Sequence, residues 1–130
     1  MGRPSIEKQN IVSCILIEKK KKIVFWYVSD EKFEKEIYDN SGILEPEIAG
    51  FIRYIIFSNH VELKQIFVRP EIRRGGYGRL LIEKLIKLAI KNKKKRIITI
   101  SGSSKGEVFG DFLIRMGFTE DIHKHWIWEK

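Results

Sequence analysis

A chain of 130 residues suits one domain with a substantial core and leaves no room for two, so 1–130 reads as a single unit. Hydrophobic residues make up 43% and charged residues 32%, and no apolar run reaches the roughly 18 residues that a membrane helix needs. A single cysteine, Cys14, rules out an internal disulfide or a thiolate metal cage, while a net charge of +8 makes polyanions natural partners. The opening MGRPSIEKQN lacks the apolar stretch of a secretory signal, which gives a cytoplasmic protein as the expectation.

In chain order, NIVSCILIE and KIVFWYVSD are apolar, β-rich runs separated by Lys19 to Lys22, the pattern of a hairpin with a charged tip. Cys14 falls inside the first run and reads as a buried strand residue. SDEKFEKEIYDN supplies Ser29 and Asp30 as caps and spaces Phe33, Ile37 and Tyr38 helically, until Gly42 and Pro46 end the helix. EIAGFIRYIIFS and HVELKQIFVRP, joined by the turn-like Ser58-Asn59-His60, should pair antiparallel. In the second of these, Val61, Leu63 and Gln65 alternate with Glu62, Lys64 and Ile66, and the order changes near Ile66-Phe67-Val68. Beyond a glycine-rich loop, Leu80, Leu81, Leu85, Leu88 and Ala89 with Ile82 and Ile86 mark a helix that ends in the cations of Lys91 to Arg96. RIITISG reads as a short buried strand, KGEVFGDFLIRMG as a helix stopped by Gly117, and HKHWIWEK as a final strand. The order β-β-α-β-β-α-β-α-β is an α/β (α+β mixed) arrangement, a mixed sheet with helices packed on it.

The loop VRPEIRRGGYGRLL lies between a strand and a long helix. The first amides of a helix have no intrahelical partner, the helix dipole adds positive charge, and glycines let an anion approach the backbone closely. Gly75, Gly76 and Gly78 supply room, and Arg73, Arg74 and Arg79 supply charge, so the loop reads as a pyrophosphate site. It lacks the Gly-Lys-Ser/Thr ending of a nucleotide P-loop, and its glycines do not fit G-x-G-x-x-G. It does fit R/Q-x-x-G-x-G/A, as Arg73-Arg74-Gly75-Gly76-Tyr77-Gly78. Here, and in the flanking IAGFIRYIIFSNHVELKQIFVRPEIRRGGYGRLLIEKLIKLA and the later FLIRMGF, the chain resembles the GNAT superfamily of acyl-CoA-dependent N-acetyltransferases.

The resemblance implies a mostly antiparallel central sheet flanked by helices and splayed between the strands at 61–68 and 96–101. It implies acetyl-CoA as co-substrate, no metal, and a primary amine as acceptor, with a peptide N-terminus or a lysine of a protein as candidates. The amides from Arg74 to Arg79, with the side chains of Arg73, Arg74 and Arg79, would hold the pyrophosphate, Tyr77 serving more as packing than as chemistry. The segment Ile66-Phe67-Val68 would pair with the pantetheine arm. Glu62, eleven residues before Arg73, stands where many members of the family carry a strand glutamate facing the cleft and is the candidate general base; His60 is the weaker alternative. Leu113 occupies the place of the tyrosine that often acts as acid, and Gly106 falls near the usual upstream asparagine. This departure leaves a non-catalytic acyl-CoA-binding module as an alternative to an enzyme. The lysine runs leave a basic nucleic-acid-binding protein as another. His123 and His125, two apart, could share a metal but have no third ligand in the sequence nearby, and Trp126 and Trp128 on the opposite face would complete the core or an interface.

Overall fold

A computed structural model of the chain describes residues 11–73, 75–99 and 107–130, with the side chains at 107–109 excepted. The first two apolar runs form β1 (Ile11–Lys19) and β2 (Lys22–Ser29), paired antiparallel from Val12↔Ser29 to Lys19↔Lys22. Lys20 and Lys21 close the hairpin with φ of 52° and 67°. Two successive left-handed residues match the right-handed twist of the flanking strands, so the charged tip is a tight two-residue turn. Helix α1 (Asp30–Ile37) follows and buries Phe33 and Ile37. Ser29 stands at its N-cap without a side-chain cap bond, and Tyr38 lies outside the helix, bridging Leu44 from an exposed position.

Strands β3 (Ile48–Ile56) and β4 (Val61–Val68) pair antiparallel as their alternation requires. The change of face in β4 comes earlier than the sequence pattern indicated. Arg53 opposes Gln65 while Tyr54 opposes Leu63, which leaves Lys64 as the extra residue of a β-bulge. The inserted residue resets the period: Val61, Leu63, Ile66 and Val68 join one core, and Phe67 joins the other. A turn at Pro70–Ile72 leads through the glycine loop into α2 (Tyr77–Lys91), which buries Leu81, Ile82, Leu85 and Ala89; Leu80, at the rim of the stripe, is exposed. Each of those buried Leu and Ile side chains contributes about 1.5–3 kcal/mol.

The crossover through α2 allows β5 (Arg96–Thr99) to run parallel to β4. Helix α3 (Glu107–Arg115) ends in a left-handed Gly117 with φ of 96°, the Phe118 amide reaching back to the Leu113 carbonyl. The final strand expected from HKHWIWEK forms over its second half as β7 (Trp126–Glu129), and a two-residue strand with no sequence expectation, β6 (Thr119–Glu120), pairs with it. Asp121 turns the chain between them by accepting from the amides of His123 and His125. The sheet order is β2-β1-β3-β4-β5-β7-β6, antiparallel except at β4 and β5. One core lies between the sheet and α2 with α3, where Cys14 is fully buried; a smaller one lies under α1 on the opposite face. The segment from 30 to 47 contributes this one helix.

Candidate active site

Among the described residues β5 accompanies β4 for two residues. They are in register at Val61↔Ile97 and Glu62↔Ile98, and Thr99, next in β5, is no longer paired with β4. From Leu63 to Val68 the edge of β4 turned away from β3 has no strand beside it among the described residues. Its outward N–H and C=O groups form a ladder open to an extended ligand. This is the splay expected between the strands at 61–68 and 96–101; residues 100 and 101 lie outside the described residues.

Glu62 stands at the fork of this splay. On β3 it faces Ile55, which shares a face with Arg53, two residues earlier. Arg53 reaches α1, where it donates to Asp30, and lies 4.4 Å over the Phe33 ring, so the Glu62 carboxylate is on the α1 side of the sheet. Its side chain is 14% exposed, and Oε2 accepts from Lys64 Nζ at 3.1 Å. Arg53 also donates to Gln65 at 3.4 Å. Buried without a partner beside these groups are Arg53 Nε and the Ser13 hydroxyl, cross-strand neighbours on β3 and β1.

At the other end of β4's open edge is the glycine loop. Gly76 is the N-cap of α2 with φ of 89°, and a Cβ there would meet nothing within 4 Å. The backbone is therefore bare and facing open space where α2 begins. The first-turn amides of Tyr77, Gly78 and Arg79 have no acceptor within the helix. The Gly75 amide, by contrast, donates to the Ile72 carbonyl at 3.2 Å, so it belongs to the loop's own folding. Gly78 is needed for a different reason: a Cβ would lie 3.3 Å from the Phe112 ring, where α2 and α3 converge. Of the arginines, Arg73 folds back on the Val68 carbonyl at 3.0 Å and Arg79 pairs with Glu83 at 3.2 Å, both from exposed positions; Arg74 lies outside the described residues. Tyr77 packs against the core and its hydroxyl donates to Glu18, which raises its pKa. Ile66, Phe67 and Val68 are half-buried along the open edge.

From Glu62 to Val68, where β4 ends, is six residues, which at about 3.3 Å per residue is about 20 Å, the scale of an extended pantetheine arm. An open hollow beside Ile48 and Ile72 is lined by Glu18, Glu47 and Glu71 together with Arg69, which pairs with Glu71.

The other sequence candidates are placed as follows. His60 is in the β3–β4 turn, stacked on Phe57 at 4.9 Å and bonded to Asn59. Leu113 is fully buried in the core under α2, so its side chain does not face the fork; Phe112 is the α3 residue that meets the start of α2. Gly106 lies outside the described residues. His123 and His125 sit in the turn before β7, their rings 6.1 Å apart, rather than on one face of a strand. Among the described residues no three His, Cys, Asp or Glu side chains are grouped to hold a metal. Trp126 and Trp128 pack against the core as expected. Sequence reading missed Arg53, whose signal was a lone cation inside an apolar strand, FIRYII.

The sequence profile of the acetyltransferase (GNAT) family matches residues 11–108. The chain belongs to that family. Its fold is shared with the PaiA N-acetyltransferase of Thermoplasma acidophilum, solved in complex with coenzyme A, at 21% identity and a TM-score of 0.57 over 64% of this chain and 54% of that one. An acetyltransferase of Bacillus cereus matches 96% of this chain and 78% of its own, at 16% identity and a TM-score of 0.57. The N-acetylglutamate synthase of Neisseria gonorrhoeae, complexed with coenzyme A and L-arginine, matches over 67% of this chain at 16% identity and a TM-score of 0.55. The chain thus spans about half the length of the Thermoplasma enzyme and 23% of the Neisseria synthase. Among curated protein sequences none is significantly similar.

Proposed function

We propose that this protein transfers an acetyl group from acetyl-CoA to a primary amine, with Glu62 as the general base. Acetyl-CoA supplies the thioester acyl donor. The residues present fit it: the amides of Tyr77, Gly78 and Arg79 and the open space over Gly76 suit the pyrophosphate, and the unpaired edge from Leu63 to Val68 suits the amide-bearing arm. The observation that carries the reading is the position of Glu62, at the residue where β4 and β5 part.

An amine attacks only in its neutral form, so an ammonium acceptor must first give up a proton. The Glu62 carboxylate already holds one alkylammonium, that of Lys64, at 3.1 Å. An acceptor amine that displaces Lys64 takes up the same hydrogen bond and yields its proton to the carboxylate, directly or through water. No α3 side chain described at the fork can donate a proton to the departing thiolate, which leaves with the help of water or unassisted, as a good leaving group can. Among the described residues the face beside Glu62 is covered by one helix, α1, an open arrangement that suits an amine on a peptide or protein.

The cations at 91–96 favour polyanion binding less than their number indicates. Lys94 donates to the Ser58 carbonyl, and Arg96 pairs with Glu129.

The test is release of CoA thiol from acetyl-CoA by the purified chain with panels of peptides, polyamines and amino acids. Glu62→Gln should lower kcat/KM by about 10²–10⁴-fold and leave acetyl-CoA affinity within twofold. No release above background with any acceptor, despite bound acetyl-CoA, refutes an enzyme and makes the chain an acyl-CoA-binding module.

A further inference from the structure

Among the described residues β2 is an edge of the sheet with no strand beyond it, and it is apolar on both faces. Trp26 and Val24 are 37% and 52% exposed on the α1 face, and Tyr27 and Ile23 are 42% and 40% exposed on the other. A long, uncharged edge strand is a template for pairing with another chain, which proteins ordinarily blunt with a central Lys or Pro. β2 has neither between Ile23 and Ser29; its charges are confined to its ends, and they are of opposite sign. Lys20, Lys21 and Lys22 precede the apolar run, and Asp30 and Glu31 follow it.

We propose that two copies of this chain join β2 to β2 antiparallel across a two-fold axis normal to the sheet, making one continuous fourteen-stranded sheet from the two seven-stranded ones. The sequence fits its own reverse. A two-fold normal to the sheet keeps each face on its own side, so residues that oppose each other must be an even number of positions apart. The register centred on Trp26 sets Trp26 against Trp26, Val24 against Val28, and Phe25 against Tyr27. It carries Lys21 of each copy to Glu31 of the other, a charge match that the two-fold repeats, and Lys22 to Asp30, which also holds Arg53. Shifting the centre to Phe25 opposes Lys22 to Val28 and loses this match. Opposed aromatic and β-branched pairs and opposite charges are the arrangements that stabilise cross-strand neighbours. The charge order selects a second copy over an unrelated strand, because a partner must carry the same acid-to-base polarity in reverse.

The full chain, sedimented over 1–100 µM, should give a species of twice 15.4 kDa. Val24→Lys, a substitution at an exposed site, should give a monomer with unchanged circular dichroism and acetyl-CoA affinity. Lys21→Glu and Glu31→Lys should each raise the dimer dissociation constant on the order of tenfold at low salt, and the double reversal should restore it. A monomer throughout the range overturns the proposal. So does a dimer untouched by Val24→Lys, or a double reversal no tighter than the single ones.

Discussion

Gly76→Asn separates the two roles a left-handed glycine can have, and Gly42 provides its control. Both have positive φ, 89° and 78°, and at both a Cβ would meet nothing within 4 Å. Gly76 opens α2, whereas Gly42 lies in the loop after α1, bonded to the Asp39 carbonyl. Asparagine tolerates the left-handed region, so each substitution should cost at most about 1 kcal/mol. With an unfolding entropy of about 2.1 cal/mol/K per residue, a chain of this length should lose at most about 4 °C in Tm from either. Affinity should separate them. A side chain over Gly76 fills the space between the phosphate and the first-turn amides; removing one or two charge-assisted hydrogen bonds, about 3 kcal/mol together, weakens acetyl-CoA binding about 100-fold. Calorimetric titration with acetyl-CoA, beside thermal melts, reads both quantities, and Gly42→Asn should bind as the parent does. Gly76→Asn within threefold of the parent would refute a pyrophosphate cradle at this loop.

Leu85→Ala removes a fully buried side chain from the core under α2 and should destabilise the fold by about 2–5 kcal/mol in urea titration, whereas Leu80→Ala, on the exposed rim, should stay within about 0.5 kcal/mol. Burial pushes the Cys14 thiol up to about 11 from its ordinary 9.0. The folded state then keeps a proton that the unfolded state loses, so stability should fall as pH rises from about 9 towards 11, and Cys14→Ala should flatten that part of the profile. The same burial leaves Cys14 protonated and covered at pH 8, so a thiol reagent should label it only after denaturant is added.

Local chemistry made most of the fold legible. The hairpin tips, the α2 stripe and the left-handed glycines at 76 and 117 each follow from a few neighbouring residues, and the order of elements follows from them. What escaped was set by partners distant in sequence. VELKQIFV shows that the order of faces changes but not that Lys64 is the inserted residue, because an insertion is located only against the strand it fails to match. The short β6 and its turn into β7 depend on Asp121 capturing two amides, and Leu113 reads as a cleft residue until α3 is packed. At the site, the loop was legible from glycine spacing, while the Gly75 amide and the Arg53 cluster required the tertiary contacts to be known.

The brief pairing of β4 with β5 also decides how the molecule bears load. Mechanically the sheet is a hinge of two leaves, β2-β1-β3-β4 and β5-β7-β6, with Val61–Glu62 against Ile97–Ile98 as the pin and α2 as the brace across both. Anything wedged into the fork bears on both leaves at once. Occupancy of the fork therefore couples their opening, raising the free energy to expose amides in β5 together with those in β4 by RT ln(1 + [L]/Kd).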